Sequence, residues 1–334
     1  MNAKLKKTIK IVCVLIVTLA AVYWLGPQPS EPNPVIPPIN LPSDLSLLEH
    51  QINESERATP GIKPGCEAKI IWADSSQKQK AKLVFLYVHG GTSTHNEGDP
   101  VHRNIARAFN ANLYLARLAG HGVDLGDQTF AKTTADDFLI SAEHALAVAE
   151  KLGDEVIVMG TSFGGALTTY LASRHPEIKA IILYSPCIKA YDERIDFFTK
   201  PWGLQIVKLL TGSNTFDSPI LNVKHPEYWT THYDLNFLAQ FQCTLVYLNN
   251  RKENFKKIKC PVFMAYWYKD KTTQDTTASV AGMLEMFDAL GSSNKQRQAF
   301  PLAASHAIIT PGLSSEVEGV QKATIKFLNE SLGR

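Results

Sequence analysis

A serine stands at the centre of Gly160-Thr161-Ser162-Phe163-Gly164, where chemistry becomes possible because of the residues on either side. Upstream, Val156-Ile157-Val158-Met159 is a short apolar, β-branched run that reads as a buried strand. Downstream, Gly165 to Ala172 reads as a helix packed closely at its start. A Gly-x-Ser-x-Gly pentapeptide is common by chance, but between a strand and a helix it makes a nucleophile elbow. The turn is sharp and the serine backbone strained, so side chains two residues away would clash and glycine is needed there. The hydroxyl then stands above the sheet edge. Behind it, the helix N-terminus offers N–H groups, that of Phe163 first, and a positive dipole end to a developing oxyanion. The plainer reading is a Gly/Ser turn without chemistry.

A serine needs a histidine base, and the histidine needs an acid that fixes its tautomer and stabilises its cation. On this kind of elbow the chain order is Ser, then Asp or Glu, then His. Of ten histidines, only His306 lies beyond the candidate acids, in the small-residue loop Ala303-Ala304-Ser305-His306-Ala307. That loop follows a predicted last strand, Arg297 to Phe300, and precedes a closing helix at about Ser314 to Leu332. Two aspartates compete for the acid after the strand Cys260 to Tyr268. Counting from the strand points to Asp270. Counting back from a helix over Val280 to Leu290, capped by Ser279, points to Asp275, which is preferred with Asp270 as the alternative. A second oxyanion donor is expected from the loop His89-Gly90-Gly91-Thr92, whose small residues let the backbone approach an acyl group. His89 and His121 read as loop organisers.

Taken together, these segments resemble the α/β-hydrolase superfamily, and within it the bacterial carboxylesterase and monoacylglycerol-lipase-like (serine aminopeptidase-type) branch. Leu83 to Gly91 is similar to the family's strand ending in His-Gly, and Arg117-Leu118-Ala119-Gly120-His121-Gly122 is similar to its Arg-Leu-Pro-Gly-His-Gly segment, with Ala119 in place of proline. The elbow and the Asp…His tail complete a resemblance that runs from about Gly61 to the C-terminus. It implies an α/β-hydrolase fold: a mainly parallel sheet flanked by helices, with an inserted helical cap at about 188–257. It implies an oxyanion donor at Gly91 beside Phe163. The activity it implies is a serine esterase acting on small acyl esters through an acyl-enzyme. A peptidase or acyltransferase on the same triad, or a binding protein that lost the chemistry, are the alternatives.

Composition agrees with a globular enzyme. The chain has 334 residues, 45% hydrophobic and 20% charged, and a net charge of +2 gives no reason to expect nucleic acid. No phosphate-binding Gly-rich loop, His-Glu-x-x-His or paired Cys-x-x-Cys pattern occurs, so neither a cofactor nor a metal is expected. Cys66, Cys187, Cys243 and Cys260 permit two disulfides in an oxidising compartment, with three pairings.

The elements that carry the site follow an N-terminal preamble. Residues 1–10 are basic, with Lys4, Lys6, Lys7 and Lys10, and would stay cytoplasmic. Residues 11–26 form an apolar segment read as an uncleaved signal anchor, or else a signal peptide cut after Ala20 or Ala21, leaving the enzyme exported. The uncharged run is about 15 residues, short of the about 20 that span a bilayer. Residues 27–60 are a linker with seven prolines between Pro27 and Pro42, read as a semi-rigid spacer, and Ser43 to Glu56 as a short docking helix. The catalytic domain takes 61–334. Its strands are expected near 66–72, 83–89, 112–116, 155–159, 180–184 and 261–267, with a capping-box helix start at Thr134. Between Ser185 and Cys260 the alternation stops, and aromatic residues suggest a lid; Trp202 to Leu210 would line an apolar acyl pocket.

Overall fold

Alternating β-branched runs and amphipathic segments give the expected βα order, and the computed structural model describes it for residues 3–222 and 224–333. In chain order the elements are α1 (Ala3–Trp24), α2 (Leu45–Ala58), β1 (Lys69–Ile71), β2 (Ala81–Val88), α3 (Val101–Ala108), β3 (Asn112–Leu115), α4 (Ala135–Leu152), β4 (Gly153–Thr161), α5 (Phe163–Arg174) and β5 (Ala180–Tyr184). Then come α6 (Gly203–Thr211), β6 (Thr215–Asp217), α7 (His225–Tyr228), β7 (His232–Asp234), α8 (Asn236–Asn249), β8 (Val262–Tyr266), α9 (Val280–Ala289), β9 (Lys295–Ala299) and α10 (Val317–Leu332). Seven strands form one sheet in the order β1-β3-β2-β4-β5-β8-β9. Only β1 runs antiparallel to its neighbour.

Because the central strands are covered on both faces, they read as continuous apolar runs rather than alternating ones. Val84, Leu86 and Val158 join one core with α4 and α5, while Phe85, Met159 and Ile182 join a second with α3 and α10. Local signals set the helix starts. Thr134 and Asp137 complete a capping box at α4, and the Ser279 hydroxyl accepts from Gly282 N–H at α9. Each such cap is worth about 1 kcal/mol. Helix α2 docks through buried Leu48 and Ile52, and its Glu56 pairs with Arg117. That ion pair is about nine-tenths buried, so removing one partner would cost about 3–5 kcal/mol.

The interval between β5 and β8 folds as α6, then β6 and β7 paired antiparallel with α7 in the connection between them, then α8. The strand pair is a feature the sequence did not announce. Helix α6 also departs from expectation, for Leu209 and Leu210 are 81% and 79% exposed and line no acyl pocket. Its inner residues Leu204 and Val207 pack instead on Phe198, Leu235 and Ala239.

Two N-terminal expectations and the permitted disulfides are corrected or refined. Helix α1 has lysines through its first turns, so its uncharged part is about 21 Å long against a hydrocarbon core of about 30 Å. Among the described residues no helix is long and apolar enough to cross a membrane, so the structure lends the transmembrane-anchor reading no support. The Pro-rich segment does not stand clear as a spacer. Trp202 N–H donates to the Pro27 carbonyl, Cys243 to that of Ser30, and Asn33 N–H to Asp136, while Glu31 pairs with Arg251. Finally, all five cysteines are free thiols, so neither of the permitted disulfides forms.

Candidate active site

Strand β4 delivers Ser162 at its carboxyl end, in a conformation that only close packing sustains. Its φ of 52° and ψ of −117° are strained for a residue with a side chain. The glycines are required for space. A Cβ on Gly160 would lie 2.2 Å from Thr168 Oγ1, and one on Gly164 would lie 2.0 Å from the Val88 carbonyl oxygen. The turn is further held by Ser162 N–H donating to the Tyr184 carbonyl. Helix α5 starts at once, so its first N–H groups point at the space above the serine.

Strands β8 and β9 bring the remaining groups to the same edge of the sheet. The chain leaves β8, makes a small excursion closed by a bridge between Tyr268 and Gln274, and returns to place Asp275 beside the strand end. Asp275 is fully buried. Its Oδ1 accepts the N–H groups of Thr277 and Ala278, and its Oδ2 lies 2.5 Å from His306 Nδ1. Asp270, in contrast, stays in the excursion. It accepts from Thr272 and Thr273, which hold its carboxyl below the usual range, and it does not reach His306.

With Nδ1–H donating to Asp275, His306 presents a lone pair at Nε2, which is buried and has no hydrogen-bond partner among the described residues. Burial works against its imidazolium, yet the Asp275 carboxylate, with Glu97 farther off, holds its pKa above the ordinary value. No hydrogen bond joins Ser162 to His306, a looseness common in unliganded sites.

Gly90 and Gly91 lie against the serine. A Cβ on Gly90 would come 3.2 Å from Ser162 Cβ, and one on Gly91 would come 3.7 Å from Phe163 Cβ. Neither Gly91 nor Phe163 N–H has a partner among the described residues, so both are free to donate. The cap closes this corner, with Phe237 and Phe241 of α8 against Gly91 and the Phe241 ring 4.9 Å from that of Phe163.

His89 Nε2 accepts from Leu118 N–H while Nδ1 donates to the Gly90 carbonyl, and burial depresses its pKa to about 4. His121 similarly donates to the Ala119 carbonyl. Both organise loops. A buried residue beside Gly90 that sequence reasoning missed is Glu97; nothing in the sequence set it apart from Asp99 two residues on.

A serine carried off a central parallel strand into a helix in this way is the arrangement of the α/β-hydrolases. Residues 79–310 match the family described as serine aminopeptidase, S33, and the chain belongs to that family. A thermostable monoacylglycerol lipase of Bacillus sp. (strain H-257) is 26% identical over 67% of this chain and 83% of its own. Among solved structures, one reported for the metagenome-derived lipolytic enzymes LipS and LipT aligns with a TM-score of 0.63 at 17% identity, covering 80% of this chain and 99% of that one. A soluble variant of the Saccharomyces cerevisiae monoglyceride lipase aligns with a TM-score of 0.59 at 15% identity, over 79% and 91%. The chain is a lipase- and esterase-like α/β-hydrolase.

Proposed function

We propose that the protein hydrolyses carboxylic esters of modest acyl size through an acyl-enzyme. Ser162 attacks the ester carbonyl while His306 Nε2 takes its proton, and Asp275 holds the tautomer and the imidazolium that results. The N–H groups of Gly91 and Phe163 receive the oxyanion. His306 then returns the proton to the departing alcohol, and water, activated by the same imidazole, releases the acid. The observation that carries this reading is the tautomer-locked His306, whose free Nε2 lies at the sheet edge where Ser162 emerges. The likeness to a monoacylglycerol lipase supports an ester over an amide as substrate.

Ser162→Ala should abolish hydrolysis of p-nitrophenyl esters and labelling by a fluorophosphonate probe, with a loss of roughly 10³-fold or more in kcat. A folded variant that keeps most of its activity would overturn the reading. Esters of increasing chain length, with aminoacyl p-nitroanilides alongside, then rank the substrates and decide between ester and amide.

We also propose that the domain is exported, with the four lysines and the apolar run after them as the signal. Fractionation of cells and N-terminal sequencing of the mature protein test this. An intact chain confined to the cytoplasm would overturn it.

A further inference from the structure

One buried carboxyl beside the elbow has no part in the scheme above. Glu97 lies in the short 3-10 turn His95–Gly98 that follows the oxyanion loop. Its Oε1 accepts the Gly90 N–H at 2.6 Å and the Tyr87 hydroxyl at 3.1 Å. Tyr87 in turn is 2.8 Å from the hydroxyl of Thr161, the residue before the nucleophile. The other carboxyl oxygen is 3.1 Å from where a Gly90 Cβ would be, and that same point is 3.2 Å from Ser162 Cβ. The turn is also tied to the histidine loop, because Thr310 donates its hydroxyl to the Glu97 carbonyl at 2.7 Å.

We propose that Glu97 is a positioning residue with two tasks: it clamps the oxyanion loop through the Gly90 N–H, and it acts as a second negative charge facing His306. The proposal rests on the assignment of Ser162, His306 and Asp275 above. The clamp follows from geometry. Gly91 can aim its N–H at an oxyanion only if the peptide before it is fixed, and the Gly90 N–H has Glu97 as its anchor. The charge follows from the surroundings. Glu97 is faced by Tyr87 from β2, by Ser93 of its own loop, by His306 with Asp275 behind it, and, across the Tyr87 ring, by His102 of α3 and Tyr184 of β5. No lysine or arginine pairs with it among the described residues. Burial pushes its carboxyl up to about 7, although donors from Ser93, Gly90 and Tyr87 favour the anion. Glu97 and His306 therefore titrate as an interacting pair, and the charge on one changes the proton affinity of the other.

His306 acts as a base only when neutral, so kcat/KM rises with pH through its pKa. An anionic Glu97 stabilises the imidazolium and moves that limb upward. Glu97→Gln keeps an acceptor for the Gly90 N–H but removes the charge. Its acid limb should move to lower pH by about half a unit to one unit, with kcat on the alkaline plateau within about threefold of the parent. Glu97→Ala removes the acceptor as well, and should lower plateau kcat by roughly 10–10²-fold with KM changed by less than about threefold. The experiment is the pH dependence of kcat and kcat/KM for the parent, both variants and Ser162→Ala, with thermal melts to confirm folding. An acid limb in Glu97→Gln that coincides with the parent's overturns the charge, and a plateau kcat in folded Glu97→Ala equal to the parent's overturns the clamp. Should Glu97→Ala fail to fold, Glu97→Asn, which shortens the acceptor's reach, replaces it in the same comparison. An active Ser162→Ala would instead overturn the triad and leave these outcomes separately readable.

Discussion

At the residue scale, the choice between Asp270 and Asp275 shows what spacing alone leaves open. Distance along the chain from β8 favours Asp270, since it is the first carboxylate after the strand. In the structure the excursion bridged at Tyr268 and Gln274 spends six residues and returns Asp275 to the strand end, beside His306 Nδ1. Such a two-residue bridge has no sequence pattern. The histidine was legible because only one lies beyond both acids, and the elbow because its glycines stand where any Cβ would strike backbone or side chain. Glu97 was not legible, because its burial depends on a loop folding back under β2. The expected outcome for the acid is sharp. Asp275→Asn should lower kcat by roughly 10³–10⁴-fold with little change in KM, and Asp270→Asn should change it by less than about tenfold. Steady-state kinetics on one ester decide it, and the reverse ranking would move the role to Asp270.

At the element scale, the strands were readable and the cap was not, for one physical reason. Central strands such as β2, β4 and β5 are covered on both faces, so their apolar runs are continuous and hard to mistake. The cap is built from pieces of three to fourteen residues that have little stability alone and take their form from neighbours. Its aromatic content suggested a lid, but periodicity could not say which residues face the serine. Phe237 and Phe241, four apart on α8, lie against Gly91 beside it, while the equally apolar Leu209 and Leu210 look outward. The same limit applies to the Pro27–Pro42 segment. Its composition describes an extended chain, but the contacts that lay it against α6, α8 and α4 involve single backbone groups at Pro27, Ser30 and Asn33 and an ion pair at Glu31.

At the scale of the whole molecule, the buried histidines make stability depend on pH. Burial depresses His89 and His102 to about 4, and holds His95 and His121 well below the ordinary value. Between about pH 6.5 and 4 the unfolded chain therefore binds more protons at these positions than the folded one, and stability is lost as pH falls through that window. Each such histidine contributes about 1.4 kcal/mol per pH unit. Burial also lowers His144 and His225, while Glu97, Glu150, His175, His232 and His306, whose folded values are raised, act in the opposite sense; six histidines, four of them deeply buried, outweigh five groups of which His232 lies at the surface. The melting temperature at about pH 5 should be lower than at about pH 7.5, by on the order of 5 °C. Equal or higher values at the acid end, in thermal melts at fixed ionic strength, would contradict this account. The strapped N-terminal segment has a mechanical consequence of its own. Its successive fastenings are to Trp202 at the head of α6, to Cys243 and Arg251 at α8 and just beyond it, and to Asp136 at the start of α4. Tension applied from the N-terminus would thus load the cap before it reached the sheet, and the first thing to yield would be the cover over the serine rather than the frame beneath it.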